Sequence, residues 1–231
     1  MRLNFISRIF SKIPSLETER LLLREMKKSD FNDVYEYSSN PQTSEYLLWE
    51  VHRSPEYTKE FLDYVISKYK SGEYNDWALV YKPDNKMIGT CGFTKIDQEN
   101  NVAEIGYVIN PNYWNMGIAT EAAEAVIDFA FNTMGMNRVE AKFMYGNDAS
   151  LSVMKKLGMK FEGYHRDMLL VKGKYRTIGY AAILRSEYKN LCWNLPYIDT
   201  FCVILLDFGC FWHKKLNNMN KNSWNYGFHI I

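Results

Sequence analysis

The chain has 231 residues, of which 47% are hydrophobic and 24% are charged. These fractions are typical of a globular domain and exclude a disordered or fibrous chain. The formal net charge of +1 gives no reason to expect nucleic acid as the main partner. The four cysteines lack the spacing of a metal site or a disulfide framework. We therefore expect a cytoplasmic protein without a structural metal.

Residues 1–13 have the pattern of a short amphipathic helix that precedes the domain. Apolar residues recur there at helical spacing, and Arg8 and Lys12 interrupt the unbroken apolar run that a signal peptide requires. Pro14 ends the pattern. We expect this extension to dock on the domain rather than to lie on a membrane surface.

Strand and helix signals alternate from residue 16 onward. Strand patterns cover residues 20–24, 77–81, 87–96, 102–109, 138–144, 160–170 and 176–184. Helical patterns cover residues 29–39, 55–71, 119–131 and 148–157, with Pro55 at one helix start and Gly72 and Gly158 at helix ends. The order predicts a mixed α/β fold with an antiparallel first half and a strand–helix–strand second half.

The composition changes near residue 190, which divides a domain at 14–189 from a C-terminal tail at 190–231. Residues 195–212 are mostly apolar but include Pro196, Asp199 and Asp207. Because each aspartate costs about 2.5–3.5 kcal/mol at the centre of a bilayer, we expect no membrane span. The tail is expected to pack on the domain or form an oligomer contact, with a disordered part at 217–225. Alternatively, it is sequence foreign to the domain.

The junction between the strand at 102–109 and the next helix is the first candidate site. Its residues are Trp114, Asn115, Met116, Gly117, Ile118, Ala119 and Thr120. Unpaired amides at a helix N-terminus bind phosphate oxygens without basic side chains, and the small Gly117 and Ala119 allow close approach. An ordinary tight turn explains the same pattern equally well.

Two further candidate elements are a glycine in the strand 102–109 and the start of the helix that follows the strand 138–144. Gly106 stands inside the strand 102–109, where a glycine marks a bulge or a close backbone approach. A splayed strand offers its peptide groups to an extended ligand. Asn147 and Ser150 open the helix at 148, and Asn147 is also suited to cap that helix.

These motifs, in this order, resemble those of the GNAT acetyltransferases. They are most similar to the branch of Rim-type ribosomal-protein N-terminal acetyltransferases and spermidine acetyltransferases. Residues 16–24 also resemble the first strand of that branch. The resemblance covers residues 14–188. It implies a strongly twisted, V-shaped mixed sheet of six to seven strands flanked by helices, with acetyl-CoA in the cleft. The implied acetyl-CoA contacts are Tyr107, Val108, residues 114–120, Asn147 and Ser150.

In this family the acetyl group passes directly from the thioester to an amine. The reaction needs a neutral amine, a donor for the developing oxyanion and a proton for the leaving thiolate. Glu104 is the candidate to accept the amine's proton through water, unless it is only a solvated strand-edge carboxylate. Asp167 is a second candidate for the base. Backbone amides near Tyr107 and Val108 are expected to bind the carbonyl oxygen.

The sequence departs from the family at the proton donor for the thiolate. Many members carry a tyrosine seven residues after the asparagine, where this chain has Met154. Ser150 or an ordered water is expected to substitute, so Glu104, Asn147 and Ser150 are the candidate catalytic residues. Cys91 is expected to pack in the core rather than to act as a nucleophile.

The resemblance implies an enzyme that acetylates a primary amine, either a protein N-terminus or a small polyamine-like molecule. Residues 41–75, which are rich in aromatic and acidic side chains, are expected to form the acceptor wall. The alternative is a non-catalytic acyl-CoA sensor or scaffold. A nucleotide-binding module is disfavoured because the chain has no Gly-x-x-x-x-Gly-Lys run. A monomer or a homodimer fits equally well.

Overall fold

The computed structural model describes residues 8–188. Residues 1–7 and 189–231 lie outside them, as do the predictions made for the tail and for the first seven residues of the N-terminal extension. The strands are β1 (Leu16–Glu17), β2 (Leu21–Arg24), β3 (Asp76–Tyr81), β4 (Lys86–Asp97), β5 (Val102–Ile109), β6 (Arg138–Met144), β7 (Lys160–Val171) and β8 (Lys174–Leu184). The helices are α1 (Phe31–Ser38), α2 (Pro41–Ser44), α3 (Pro55–Ser71), α4 (Ile118–Asp128) and α5 (Asp148–Lys156).

All eight strands form one sheet, in the order β1-β2-β3-β4-β5-β6-β8-β7. Every neighbouring pair is antiparallel except β5 and β6, which are parallel and are connected through α4. The predicted mixed α/β class is confirmed. The expected number of six to seven strands is corrected to eight, because the two residues of β1 pair with β2 and are too few to leave a strand pattern in the sequence.

The sheet opens between β5 and β6. Among the described residues, the ladder between these strands runs only from Val102–Ile105 to Arg138–Ala141. Beyond it, β5 continues to Ile109 beside β4, and β6 continues to Met144 beside β8. The two strands therefore diverge, and one edge of residues 106–109 is left without a partner strand.

The glycine of β5 is a point of close approach rather than a bulge. Gly106 pairs in register with Gly92, and the register shift lies between Phe93 and Lys95 of β4. A Cβ on Gly106 would lie 2.8 Å from the Cγ2 atom of Thr94. The irregularity that the sequence associates with Gly106 is thus carried by the neighbouring strand.

An aromatic cluster forms the centre of the core on one face of the sheet. The Trp77 ring meets the rings of Phe10, Phe93 and Phe129 edge-on, with centroid distances of 5.5–5.9 Å. Such pairs each contribute about 0.5–1.5 kcal/mol beyond burial of their area. Phe10 is fully buried, and the indole N–H of Trp77 donates to the carbonyl of Pro14 at 2.7 Å. Residues 8–14 are thereby attached to the domain.

Helix ends follow local signals in the sequence. The Ser54 hydroxyl accepts from the amide of Tyr57 at the start of α3, and Gly72 ends that helix with φ of +69°. The helix predicted at 119–131 ends earlier, at Asp128, and continues as a π-helical turn at Phe129–Thr133. The amide of Met134 bonds to the carbonyl of Phe129, five residues back, which widens this turn. No helix within residues 8–188 is long and apolar enough to cross a membrane.

Candidate active site

Residues 114–117, in the turn between β5 and α4, are exposed to solvent. Asn115 and Gly117 have φ of +61° and +76°, so both are left-handed, and Gly117 is the N-cap of α4. The amides of Ile118, Ala119 and Thr120 belong to the first helical turn and have no acceptor within the helix. They lie at the positive end of the helix dipole, which makes this turn suited to bind an anion such as pyrophosphate.

The turn is attached to the end of the splayed strand. The indole N–H of Trp114 donates to the carbonyl of Ile109 at 2.8 Å, while the side chain remains 46% exposed. Residues 106–109, which have no partner strand on one edge, are therefore joined to the turn at 114–120 through the Ile109 carbonyl. An extended group can bond to the strand edge while an attached phosphate reaches the turn.

Glu104 lies on β5 near the point where the strands begin to separate. One carboxylate oxygen accepts from the Thr94 hydroxyl at 2.7 Å, and the other forms an ion pair with Lys142 of β6. Only 13% of the Glu104 side chain is exposed, so it is not a solvated edge carboxylate. Burial lowers the pKa of Lys142, but the hydrogen bond and the charge of Glu104 outweigh this and raise it.

Glu104 also faces a cavity of about 260 Å³. The cavity is lined by Lys95, Asp97, Asn100, Val102, Glu104 and Glu140. Three of these residues are carboxylates, of which Glu104 and Glu140 are paired with Lys142 and Arg138. The cavity lies on the side of β5 toward Val102, away from the turn at 114–120.

A side chain of β5 bridges the opening between β5 and β6. The Tyr107 hydroxyl lies 2.9 Å from the hydroxyl oxygen of Ser150 and donates to the Ser150 carbonyl at 3.2 Å. Burial raises the pKa of Tyr107 to about 12. The Asn147 side chain accepts from the amide of Ser150 at 3.1 Å, so Asn147 caps α5.

The comparisons with known proteins agree with this arrangement. Residues 20–160 match the family model described as the acetyltransferase (GNAT) domain. This chain belongs to the GNAT acetyltransferases. It is an N-acetyltransferase, and acetyl-CoA is its acetyl donor, as in the rest of the family.

Relatives of this acetyltransferase match it over most of their length. It is 33% identical over 174 residues to a Bacillus licheniformis protein named uncharacterized N-acetyltransferase p20, covering 75% of this chain and 98% of that protein. The structure of a GNAT-family acetyltransferase from Bacillus anthracis matches with a TM-score of 0.67 and 31% identity, covering 75% and 100% of the two chains. The fold alone is shared with RimL, a ribosomal L7/L12 alpha-N-protein acetyltransferase in complex with coenzyme A, at a TM-score of 0.63 and 21% identity over 74% and 98%.

Some of the predicted site residues lie close together in the fold, whereas Asp167 lies far from them. Tyr107, Asn147 and Ser150 meet where β5 and β6 diverge. Asp167 lies on the exposed edge strand β7, and two strands, β6 and β8, stand between it and β5. Met154 is buried on α5, so its thioether packs in the core.

Arg20 and Glu121 form a part of the site that the local sequence patterns do not indicate. The Arg20 side chain donates to Glu121 at 2.7 Å and to the carbonyl of Met116, inside the turn, also at 2.7 Å. Arg20 and Glu121 are 101 residues apart in the chain, so no window of helical or strand periodicity contains both. The helix dipole alone favours an acidic residue in the first turn of α4, so Glu121 does not by itself indicate a basic partner.

Proposed function

We propose that this acetyltransferase transfers the acetyl group of acetyl-CoA directly to a primary amine, either a protein N-terminal amine or a small polyamine-like molecule. One observation carries the proposal: residues 106–109, which lack a partner strand on one edge, lead into the turn at 114–120 that opens α4. This continuity suits a donor whose pantetheine arm is extended and whose other end carries pyrophosphate. A non-catalytic acyl-CoA sensor would bind the donor in the same way, so the two functions are separated by the transfer test below.

The donor's pyrophosphate binds at residues 114–120 in this proposal. Gly117 adopts a left-handed conformation that other residues rarely adopt, and its lack of a side chain leaves the backbone open to a phosphate. The pantetheine amide groups pair with the free edge of β5 as an added strand would. The thioester then lies near Tyr107 and Val108, and an amide of this segment that points to the free edge is the candidate donor to its carbonyl oxygen.

The acceptor nitrogen loses two protons in the reaction. The protonated amine first gives one proton to Glu104 through a water molecule. The neutral amine then attacks the thioester carbon, the carbon–sulfur bond breaks, and the acetyl group ends as an amide. The second proton leaves the nitrogen and reaches the CoA thiolate through water or by relay through the Ser150 hydroxyl, which regains the proton it passes on, because Met154 has no proton to donate.

The carboxylate-lined cavity beside Glu104 is the proposed position of the acceptor amine. Asp97, Glu104 and Glu140 line it, and free amines are mostly protonated in neutral water. A protein N-terminus and a polyamine both meet this requirement. RimL, which is named as an alpha-N-protein acetyltransferase, shares the fold and supports the first of these classes.

The test is an acetyl-transfer screen over N-terminal peptides, polyamines and aminoglycosides. The product is identified by mass, and CoA release is measured as free thiol. We expect one acetylated amine per thiol released, and no acetylated protein when acetyl-CoA is supplied without an acceptor. Binding of acetyl-CoA without acetylation of any amine in the panel would favour the sensor or scaffold instead.

The donor site is tested separately with Gly117→Asp, which puts a side chain on a residue with φ of +76° and a carboxylate on the turn beside the pyrophosphate site, with its Cβ 3.5 Å from Nη2 of Arg20. We expect the Kd for acetyl-CoA to rise about tenfold or more, equivalent to ~1.4 kcal/mol, with the fold retained. Unchanged affinity in a folded variant would rule out the turn as the pyrophosphate site.

A further inference from the structure

We infer that Arg20 is a positioning residue for the acetyl donor, because it fixes the peptide between Met116 and Gly117 and neutralises Glu121 beside the pyrophosphate site. The inference rests on the proposed binding of pyrophosphate at 114–120. It assigns a role to the side chain of Arg20, which immediately precedes β2.

Two hydrogen bonds join Arg20 to the Glu121 carboxylate. The backbone amide of Arg20 donates to one oxygen of Glu121 at 2.8 Å, and its Nε donates to the other at 2.7 Å. The Thr18 hydroxyl holds the same carboxylate by donating to the first oxygen at 2.6 Å. The Glu121 side chain is 17% exposed and that of Arg20 is 35% exposed. The carboxylate thereby orients the guanidinium, whose outer nitrogens remain partly exposed.

The remaining arm of the guanidinium reaches the turn. Nη1 of Arg20 donates to the carbonyl of Met116 at 2.7 Å, and Nη2 lies 3.5 Å from the position that a Cβ on Gly117 would take. In a planar trans peptide the C=O and the following N–H point in opposite directions. Since Arg20 binds the Met116 carbonyl, the Gly117 amide points away from Arg20. Arg20 therefore sets the direction of one of the turn's donors.

The charge of Arg20 has a second effect. Glu121 lies in the first turn of α4, where its carboxylate would repel a bound pyrophosphate. Burial raises the pKa of Glu121, but hydrogen bonds from Thr18 and Arg20 and the charge of Arg20 outweigh this and lower it. Glu121 is thus an anion paired with Arg20. Removing the guanidinium leaves a partly buried negative charge one helical turn from the donor's phosphates.

The test compares two acetyl donors that differ in pyrophosphate. Acetyl-CoA carries it, and S-acetylpantetheine has the same thioester and arm without it. For Arg20→Gln we expect the KM for acetyl-CoA to rise about tenfold, with kcat at saturating donor changed less than about twofold. The kcat/KM for S-acetylpantetheine should be unchanged. Arg20→Lys keeps the charge but loses the planar fork, and should fall between the wild type and Arg20→Gln.

Lys82→Gln is the matched control. Lys82 is a cation of similar exposure, 32% against 35% for Arg20, and its Nζ bonds to Glu17 and to the carbonyl of Thr18, next to the Arg20 network. It has no contact with the turn among the described residues. We expect this variant to use both donors as the wild type does. Titration of CoA by calorimetry provides the same comparison without turnover, and only the Arg20 variants should bind it more weakly.

Equal losses with both donors would show that Arg20 only supports the fold, and would overturn the inference. Unchanged KM and Kd for acetyl-CoA and CoA in both Arg20 variants would also overturn it. If Gly117→Asp weakens acetyl-CoA while the Arg20 variants do not, the inference alone fails. If Gly117→Asp also binds acetyl-CoA normally, both the role of Arg20 and the proposed pyrophosphate site at 114–120 are wrong.

Discussion

The hydroxyl of Tyr107 lies 2.9 Å from that of Ser150, so a side chain of β5 reaches the first turn of α5 across the gap between β5 and β6. Ser150 is the candidate proton donor to the thiolate, and Tyr107 is its observed partner. The pair stands in a chain that has Met154 in place of the tyrosine common in the family. The two hydroxyls are therefore expected to act as one unit.

Tyr107→Phe and Ser150→Ala should each lower kcat, since each removes one member of this pair. In the double variant the loss should be no greater than in the stronger single variant, because the interaction is already absent. Unfolding by denaturant should show a coupling of about 1 kcal/mol between the two positions. Independent, additive losses in both rate and stability would contradict a shared role.

Glu104→Gln keeps the shape of the side chain and removes its basic oxygen. We expect kcat/KM to fall by about 10²- to 10⁴-fold near neutral pH and to recover in part at high pH, where the amine deprotonates unaided. The measurement is a pH profile of kcat/KM against the best acceptor from the screen.

Glu140→Gln is the control for this change. Glu140 is the register partner of Glu104 on β6, is similarly shielded, and is paired with Arg138 instead of Lys142. Its loss should raise the KM for a cationic acceptor without altering the shape of the pH profile. An identical profile change in both variants would assign the effect to the cavity's charge rather than to Glu104 as the base.

The stability of the fold should decrease on mild acidification because of His52. This side chain is buried, with Nδ1 2.9 Å from the Ser38 hydroxyl and 2.8 Å from that of Thr58, and burial lowers its pKa below 6.5. The unfolded state therefore binds the proton first as the pH falls. The His52 contribution is intact above about pH 6.5 and is lost progressively as the pH falls through the lowered pKa. The free energy of unfolding, measured by denaturant titration between about pH 8 and about pH 5, tests this expectation, because that interval spans the ordinary pKa of histidine.

His52→Gln removes the titrating group and is the comparison for that series. Its free energy of unfolding should vary less with pH than that of the wild type over the same interval, although its stability at high pH is lower. If the wild type and the variant lose stability in parallel, the pH dependence arises from other groups.

The sequence predicts those parts of the fold that depend on local chemistry. Gly72 and Gly158 end helices with left-handed φ, and the bounds of β5 and β6 coincide with the predicted strands. Contacts between distant segments leave no such pattern. The Arg20–Glu121 pair and the two residues of β1 belong to this second kind, since only the folded sheet brings them together.

The ion pair of Glu104 with Lys142 could be predicted from the sequence only in part. Parallel pairing of β5 with β6 places Glu104 opposite Glu140, and Lys142 follows two residues later on the same face. The pairing follows from the strand–helix–strand pattern, but its register does not, because a shift of one residue would turn Lys142 to the other face. The ion pair therefore required the structure.

Hydrogen exchange with and without CoA, read by mass spectrometry, tests the donor site most directly. The exposed amides of residues 115–120 and the free edge of residues 106–109 should exchange quickly in the free protein and slowly with CoA bound. Peptides from the distant edge strand β7 should be unaffected. Protection at both segments is the result that the account predicts. Binding of CoA without protection at either segment, or with protection confined to β7 and β8, would contradict it.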